Sequence, residues 1–401
     1  MKVSGLDVHK DTIFCAIYNG KQYGEVKEYR TFSGEIRAMG MELLEEGVKS
    51  VALESTGIYW IPVWNILEEM GIELMLVNPY LIKQMPGRKS DIKDAQWIAK
   101  LLYKGMLRGS LVPDKIIREL RTYSRRYVKT QGMITRATQD IEHTLELCNI
   151  RITSLVSTNN SVSVRKVVEK IICGEDTVEE LACCIHSRII NSKGDMVRLS
   201  LEGHIAEHHR IALSMAYDQL QLYTRQCEEL VELMSQICEA HYHREMELLM
   251  SIPGVGRHAA MQIIAETGGN MKAFENSSKL TGWTGLRPRN DESAGKYKST
   301  ATTHGNKYLR RILVQSAWAN TRMKASFYKG KFEQLCIHKS RKKALIAIAR
   351  KLLTVVWHVL KENKPFNPNL LPVYNPKKME MKMKYHQREI EKLSQLGFNV
   401  T

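Results

Sequence analysis

Four carboxylates stand where carboxylates are costly unless something positive meets them. Asp7 lies in the apolar stretch "GLDVHKD", Glu54 ends the apolar run "VALEST", and Asp91 and Asp94 sit three apart in "SDIKDAQ". A carboxylate on a buried strand needs a cation or a metal, and two aspartates three apart on a helix share one face. If all four converge, their repulsion calls for divalent cations, and an all-oxygen donor set suits Mg²⁺. Two such ions about 4 Å apart can activate an attacking oxygen and stabilise a leaving one in phosphodiester chemistry. Each acid also has a plainer reading: Asp7 or Glu54 as a strand-end carboxylate facing water, Asp91 and Asp94 as residues favoured at the positive end of a helix.

A fifth residue is Ser293, in "RPRNDESAGKYKST". It is surrounded in sequence by Arg287, Arg289, Lys296 and Lys298, without a histidine set to act as its base. Cations around a hydroxyl suit phosphate; the plainer reading is a turn residue beside Ala294 and Gly295.

The elements that must position these residues follow from periodicity. "VSGLDV", "TIFCAIYN" and "GEVKEYRTF" read as three antiparallel strands, followed by a helix closed by Gly47, a buried strand at "SVALEST", a helix at "YWIPVWNILEEMG" and a strand at "ELMLVNP". A third helix starts at "SDIKDAQWIAKLLYKG", with Ser90 as N-cap and Gly105 at its end. In this order Asp7 and Glu54 fall on neighbouring central strands, and the third helix carries its aspartates over them.

From about residue 114 the chain reads as helical to about residue 250, with a break at "STNNSVSV". Leu213, Ala216, Leu220, Tyr223, Cys227, Leu230, Met234 and Ile237 recur at heptad spacing. So narrow a stripe needs a partner helix, from this chain or a second subunit, which makes a homo-oligomer an expectation. "IPGVG", with Gly254 and Gly256, reads as a tight turn between helices, either a helix-hairpin-helix grip on phosphate or a plain connection. The domains expected are 1–110, 111–247, 248–362 and a basic tail, 363–401.

The chain has 401 residues, 59 Lys and Arg against 43 Asp and Glu, a net charge of +16 and a pI near 9.4. Such a field attracts polyanions, nucleic acid first. Arg118, Arg121, Arg125, Arg126, Arg310, Arg311, Arg341, Lys342 and Lys343 are candidates for backbone phosphates, each with a solvated charged face as its alternative. The sequence predicts no membrane span and a cytosolic protein with reduced thiols. Two Cys/His groups, one around Cys183 and one around Cys238, lack the ligand spacing of a zinc finger.

"GLDVHKDT", "ALESTGIYW" and "SDIKDAQWIAKLL" resemble the DEDD transposases of insertion sequence family one-ten, whose first domain is RNase H-like and RuvC-type. "IPGVG", "LTGWTGLRPRNDESAGK" and "GNKYLRRILVQSAWA" are similar to the second, serine-bearing domain of that family. The resemblance implies an α/β first domain, a helical coiled-coil middle, a mainly helical transposase domain and an active site shared between the two. It implies that Asp7, Glu54, Asp91 and Asp94 hold Mg²⁺ and that Ser293 attacks the phosphodiester and becomes joined to DNA. It further implies donor and target DNA as substrates, a bridge RNA that pairs with both, a dimer or tetramer, and the cytoplasm and nucleoid of a bacterial or archaeal cell. The chain departs from many relatives in reading "SAGK" for Ser-Gly-Gly-Lys and in placing Thr303 where a lysine often stands. The competing readings are a RuvC-like endonuclease that uses metal-activated water, and a nucleic-acid binder without catalysis.

Overall fold

The structure, a computed structural model, describes residues 1–401 except 55–56, 79–90, 157–159, 290, 294–295, 300, 325, 371–375 and 396–401. The chain forms two compact units, Met1–Pro113 and Asp114–Thr401.

The first unit is a five-stranded mixed sheet in the order β3-β2-β1-β4-β5. Its strands are β1 (Lys2–Val8), β2 (Thr12–Tyr18), β3 (Lys27–Arg30), β4 (Val48–Glu54) and β5 (Glu73–Val77). The first three form the expected antiparallel meander, and β4 and β5 then add in parallel beside β1. Parallel pairing requires crossovers, supplied by helices α1 (Ser33–Glu45) and α2 (Trp60–Glu69). Helix α3 (Asp91–Tyr103) follows the sheet. This mixed sheet with helical crossovers is the arrangement expected of an RNase H-like domain.

The two-residue period of the strands sorts their side chains. Leu6 and Val8 of β1 and Val51 and Leu53 of β4 share a core with Ile36, Met39 and Leu43 of α1 and with Val63 and Leu67 of α2. Their neighbours in sequence face the other way, toward α3: Val3 packs with Ala99, and Ala52 with Ile98. Gly5 sets the closeness of α3. A Cβ there would stand 2.4 Å from the Ala95 carbonyl oxygen and 2.4 Å from the Ala99 nitrogen, so only glycine lets the helix backbone lie on the strand.

The second unit is built on two long helices, α4 (Lys115–Leu147), N-capped by Asp114, and α8 (Glu207–His241). They run antiparallel, with Gln131 against Cys227 and Leu145 in one core with Leu213. The heptad stripe is thus met within the chain: Leu213, Ala216, Leu220, Cys227 and Met234 are buried, and Tyr223, Leu230 and Ile237 are half-buried. The stripe therefore no longer requires a second subunit.

Helices α5 (Val162–Cys173), α6 (Val178–Ala182) and α7 (Ser187–Leu201) complete the core at the 145/213 end of that pair. Of the expected break, residues 157–159 lie outside the described residues and α5 begins at Val162. Helix α4 already ends at Leu147 with Cys148 as its C-cap, and Asn149 takes a left-handed conformation, φ +61°, which asparagine tolerates better than most residues.

The remainder comprises α9 (His243–Met250), α10 (Arg257–Thr267), α11 (Ser277–Trp283), the hairpin β6 (Asp291–Ser293) and β7 (Lys296–Ser299), α12 (Lys307–Arg322), α13 (Phe327–Cys336), α14 (Arg341–Glu362) and α15 (Pro376–Gln395). Residues 247 and 248 both fall within the second unit. Glu266 on α10 is fully buried and binds Arg125 of α4 through both carboxylate oxygens, at 2.9 Å each, which fastens the two regions together. Among the described residues, no helix is long and apolar enough to cross a membrane.

Candidate functional site

Strands β1 and β4 run parallel with Leu6 opposite Leu53, so Asp7 and Glu54 follow side by side at the carboxyl ends of adjacent strands. That is where ligands bind in open α/β sheets. Both acids point to the α3 face, and both are buried, at 4% and 7% exposure. Asp91 and Asp94 occupy the first turn of α3, where the helix dipole favours negative charge. The expected N-cap Ser90 lies outside the described residues.

The electrostatics report the convergence of all four. Burial pushes the Asp7 carboxyl up from 3.8 to about 6; His9 pulls it down, and Glu54, Asp94 and Asp91 each push it up. His9 is a member that sequence reading missed. Its Nε2 lies 3.2 Å from Asp7 Oδ2 and 3.7 Å from Asp91 Oδ1, bridging strand and helix. The Phe14 ring packs edge-on against the imidazole at 6.3 Å between centroids. The signal was present in "DVH", since residues i and i+2 of a strand share a face.

Asp7, His9 and Asp91 can together ligate one metal ion, the only such group among the described residues. A buried carboxylate facing three others, with one imidazole at the rim, fits a hard divalent cation. All eight cysteines are free thiols, and neither Cys/His group gathers a metal-binding cluster among the described residues.

In the second unit Ser293 closes β6 and lies in register with Lys296 of β7. The stem of this hairpin is fixed from below. Arg289 N donates to Ala301 O at 3.0 Å and Thr303 N to Arg287 O at 3.0 Å. Arg310 Nη1 donates to Gly285 O at 3.2 Å and to Thr302 Oγ1 at 3.0 Å. Asn306 caps α12 through its side-chain oxygen and donates its amide to Glu266 Oε2 at 2.6 Å.

Three of the cations expected to meet phosphate have partners within this scaffold. Arg310 is used in the hairpin stem. Arg121 donates to the backbone oxygens of Ala265 and Glu266, at 2.9 and 2.8 Å, and Arg125 is bound by Glu266. A fully buried glutamate must be paired, and these two arginines pair it. Arg126, Arg287, Arg289 and Arg311 remain exposed, as do Arg341, Lys342 and Lys343 at the start of α14, while Arg118 is half-buried.

The "IPGVG" turn joins α9 to α10. Gly254 takes φ +76° and is packed against Asn320, whose Nδ2 donates to Pro253 O at 2.6 Å; Gly256 is the exposed N-cap of α10.

Residues 4–150 match the DEDD transposase family model of the IS110 type, and residues 246–330 match the Transposase IS116/IS110/IS902 family. The chain is 31% identical over 135 residues to the insertion element IS900 uncharacterized 42 kDa protein of Mycobacterium paratuberculosis, covering 31% of this chain and 32% of that one. It is 29% identical over 139 residues to the pilin gene-inverting protein of Moraxella bovis, covering 33% of this chain and 42% of that one. The matched stretch thus spans well under half the length of these curated relatives. Among solved structures, T. thermophilus RuvC in complex with a Holliday junction substrate aligns at 16% identity with a TM-score of 0.23, covering 27% of this chain and 99% of that one.

Proposed function

We propose, since the chain belongs to the IS116/IS110/IS902 family of transposases, that it acts as the DNA recombinase of an insertion sequence, directed to its DNA by a guide RNA. The observation that carries this reading is the gathering of Glu54, Asp91, Asp94 and His9 around a buried Asp7 in the unit matched by the DEDD model. Asp7, Glu54, Asp91 and Asp94 would hold the divalent cation, Mg²⁺ in this reading, which when bound supplies positive charge for the attacking and leaving oxygens.

The chain's own residues do the rest. His9 fixes the Asp7 carboxylate by its hydrogen bond. Ser293 is the nucleophile: its oxygen bonds to the phosphorus of the DNA backbone, its proton is lost, and the DNA hydroxyl takes up a proton as it leaves. The resulting phosphoserine ester keeps the energy of the broken diester. A second DNA hydroxyl can therefore reverse the step on a new strand without ATP. The tethered β6–β7 stem supports this role because it limits where the nucleophile can stand. Sequence reading by a guide RNA suits a protein whose exposed cations are engaged with phosphates, since phosphate contacts carry no sequence information.

Replacing Ser293 with alanine and Asp7 with asparagine tests the reading on supercoiled DNA carrying the element ends. Ser293→Ala is expected to abolish both strand cleavage and the covalent protein–DNA adduct. Cleavage that survives it would instead mark an endonuclease using water. Asp7→Asn is expected to abolish cleavage by at least two orders of magnitude; an unaffected variant would leave only a nucleic-acid binder.

A further inference from the structure

A second feature of the Asp114–Thr401 unit is independent of the acids and the serine. Helix α4 and the first turns of α12 form the walls of an open cleft of about 700 Å³ lined by Arg125, Arg126, Lys129, Lys307, Tyr308 and Arg311. Among the described residues, no acidic one lines it. Glu266, which binds Arg125, is buried and already holds Arg121, Arg125 and Asn306. Arg126, Lys129, Lys307 and Arg311 are all exposed, and no described acid makes a salt bridge with them.

The spacing of these cations is not that of an ordinary solvated helix face. Arg126 and Lys129 stand three apart on α4, and Lys307 and Arg311 four apart on α12. Like charges at those separations destabilise a helix. Other exposed helix pairs of the same unit are of opposite sign, as in Arg225 with Glu229 and Arg244 with Glu247. The cleft thus concentrates repulsion that a bound anion would relieve. Its floor is ordered: the Arg125 guanidinium, held by Glu266, lies 4.7 Å from the centre of the Tyr308 ring, and Lys307 Nζ lies 5.3 Å from it.

We propose that this cleft is a binding site for one sugar–phosphate backbone of a nucleic acid, gripped without regard to sequence by Arg126, Lys129, Lys307 and Arg311. Tyr308 and the Arg125–Glu266 pair form the floor on which it rests. This deepens the reading of the protein as a nucleic-acid enzyme and rests on it. The shared chemistry is a row of phosphates, which RNA, single-stranded DNA or one strand of a duplex can present. The cleft opens beside Asn306, which anchors the hairpin stem, so a strand held there runs close to the base of the serine-bearing hairpin.

The test is a salt titration of binding by the full-length protein to three labelled probes of scrambled sequence: single-stranded RNA, single-stranded DNA and duplex DNA. The triple variant Lys129→Ala, Lys307→Ala, Arg311→Ala is expected to bind at least one probe more weakly at every salt concentration. The slope of log K against log salt should flatten by roughly 2 to 3, from three lost phosphate contacts. The probe that responds identifies the source. Unaltered slopes on all three probes would overturn the proposal, and would do so too if the cleft serves an acidic protein instead. The single variants Lys129→Gln and Lys307→Gln, each expected to flatten the slope by about 1, guard against loss of fold. Ser293→Ala should leave every slope unchanged, so failure of the catalytic reading and failure of the cleft are told apart.

Discussion

Asp7 is held in its ionised form only against resistance. Its carboxyl titrates near 6 where 3.8 is ordinary, because burial and three neighbouring carboxylates outweigh His9. The folded protein therefore binds more protons than the unfolded chain between about pH 4 and pH 6, and stability contributed at this site falls as pH rises through that window. In chelator, Asp7→Asn is expected to be more stable than the parent at pH 7.5, by at most about 3 kcal/mol, and to lose that advantage below about pH 4. Paired thermal melts across pH check this; an advantage that grows toward low pH would contradict the assigned cause. The four acids were legible from residue type, from strand position for Asp7 and Glu54 and from helical spacing for Asp91 and Asp94. His9 was not singled out, although its spacing from Asp7 placed it on the same face. Glu266 gave no signal, because its arginine partners lie about 140 residues away and a glutamate in "IIAETGG" looks like any helical glutamate.

At the scale of elements, the acid site depends on how closely α3 lies on β1. Gly5→Ala puts a methyl group within 2.4 Å of the helix backbone at Ala95 and Ala99, where no side-chain rotation can make room. The helix must lift and take Asp91 and Asp94 with it. Cleavage is expected to fall by about 10²-fold, as a displacement of roughly 1 Å in a catalytic group can cause. The Mg²⁺-induced rise in melting temperature should shrink as well, although all four acids remain. An alanine variant with the parent's metal response would show that the helix is not held there. The strands, the crossover helices and the heptad stripe were readable because each leaves a period in the sequence. The partner of that stripe was not, since periodicity states that a face must be covered and not by what. The same holds for Arg121, Arg125 and Arg310: charge on a helix reads alike whether it faces solvent or a buried acceptor.

Over the whole molecule, two units with separate cores carry two different charge problems, carboxylates that crowd each other in one and cations that do so in the other. Ligands of opposite sign should therefore act on different parts of the chain. Hydrogen exchange followed by mass spectrometry is expected to show Mg²⁺ slowing exchange in peptides of β1, β4 and α3, with the α4 and α12 peptides unchanged. At 100 times its Kd the ion adds ~2.7 kcal/mol of stability to the state that binds it. Protection by Mg²⁺ confined to the second unit would count against the acids as its ligands. The net charge of +16 makes the salt concentration part of any measured affinity.

The bare backbone at position 5 also has a genetic side. Every single-base missense change in a glycine codon brings in a residue with a β-carbon. Any such change at this codon sets a β-carbon against the α3 backbone while leaving the four acids and the serine spelled out in the gene. A copy of the gene that keeps every one of these acids and the serine can thus still lose the geometry that gathers them, and codon 5 is where such a loss would be written.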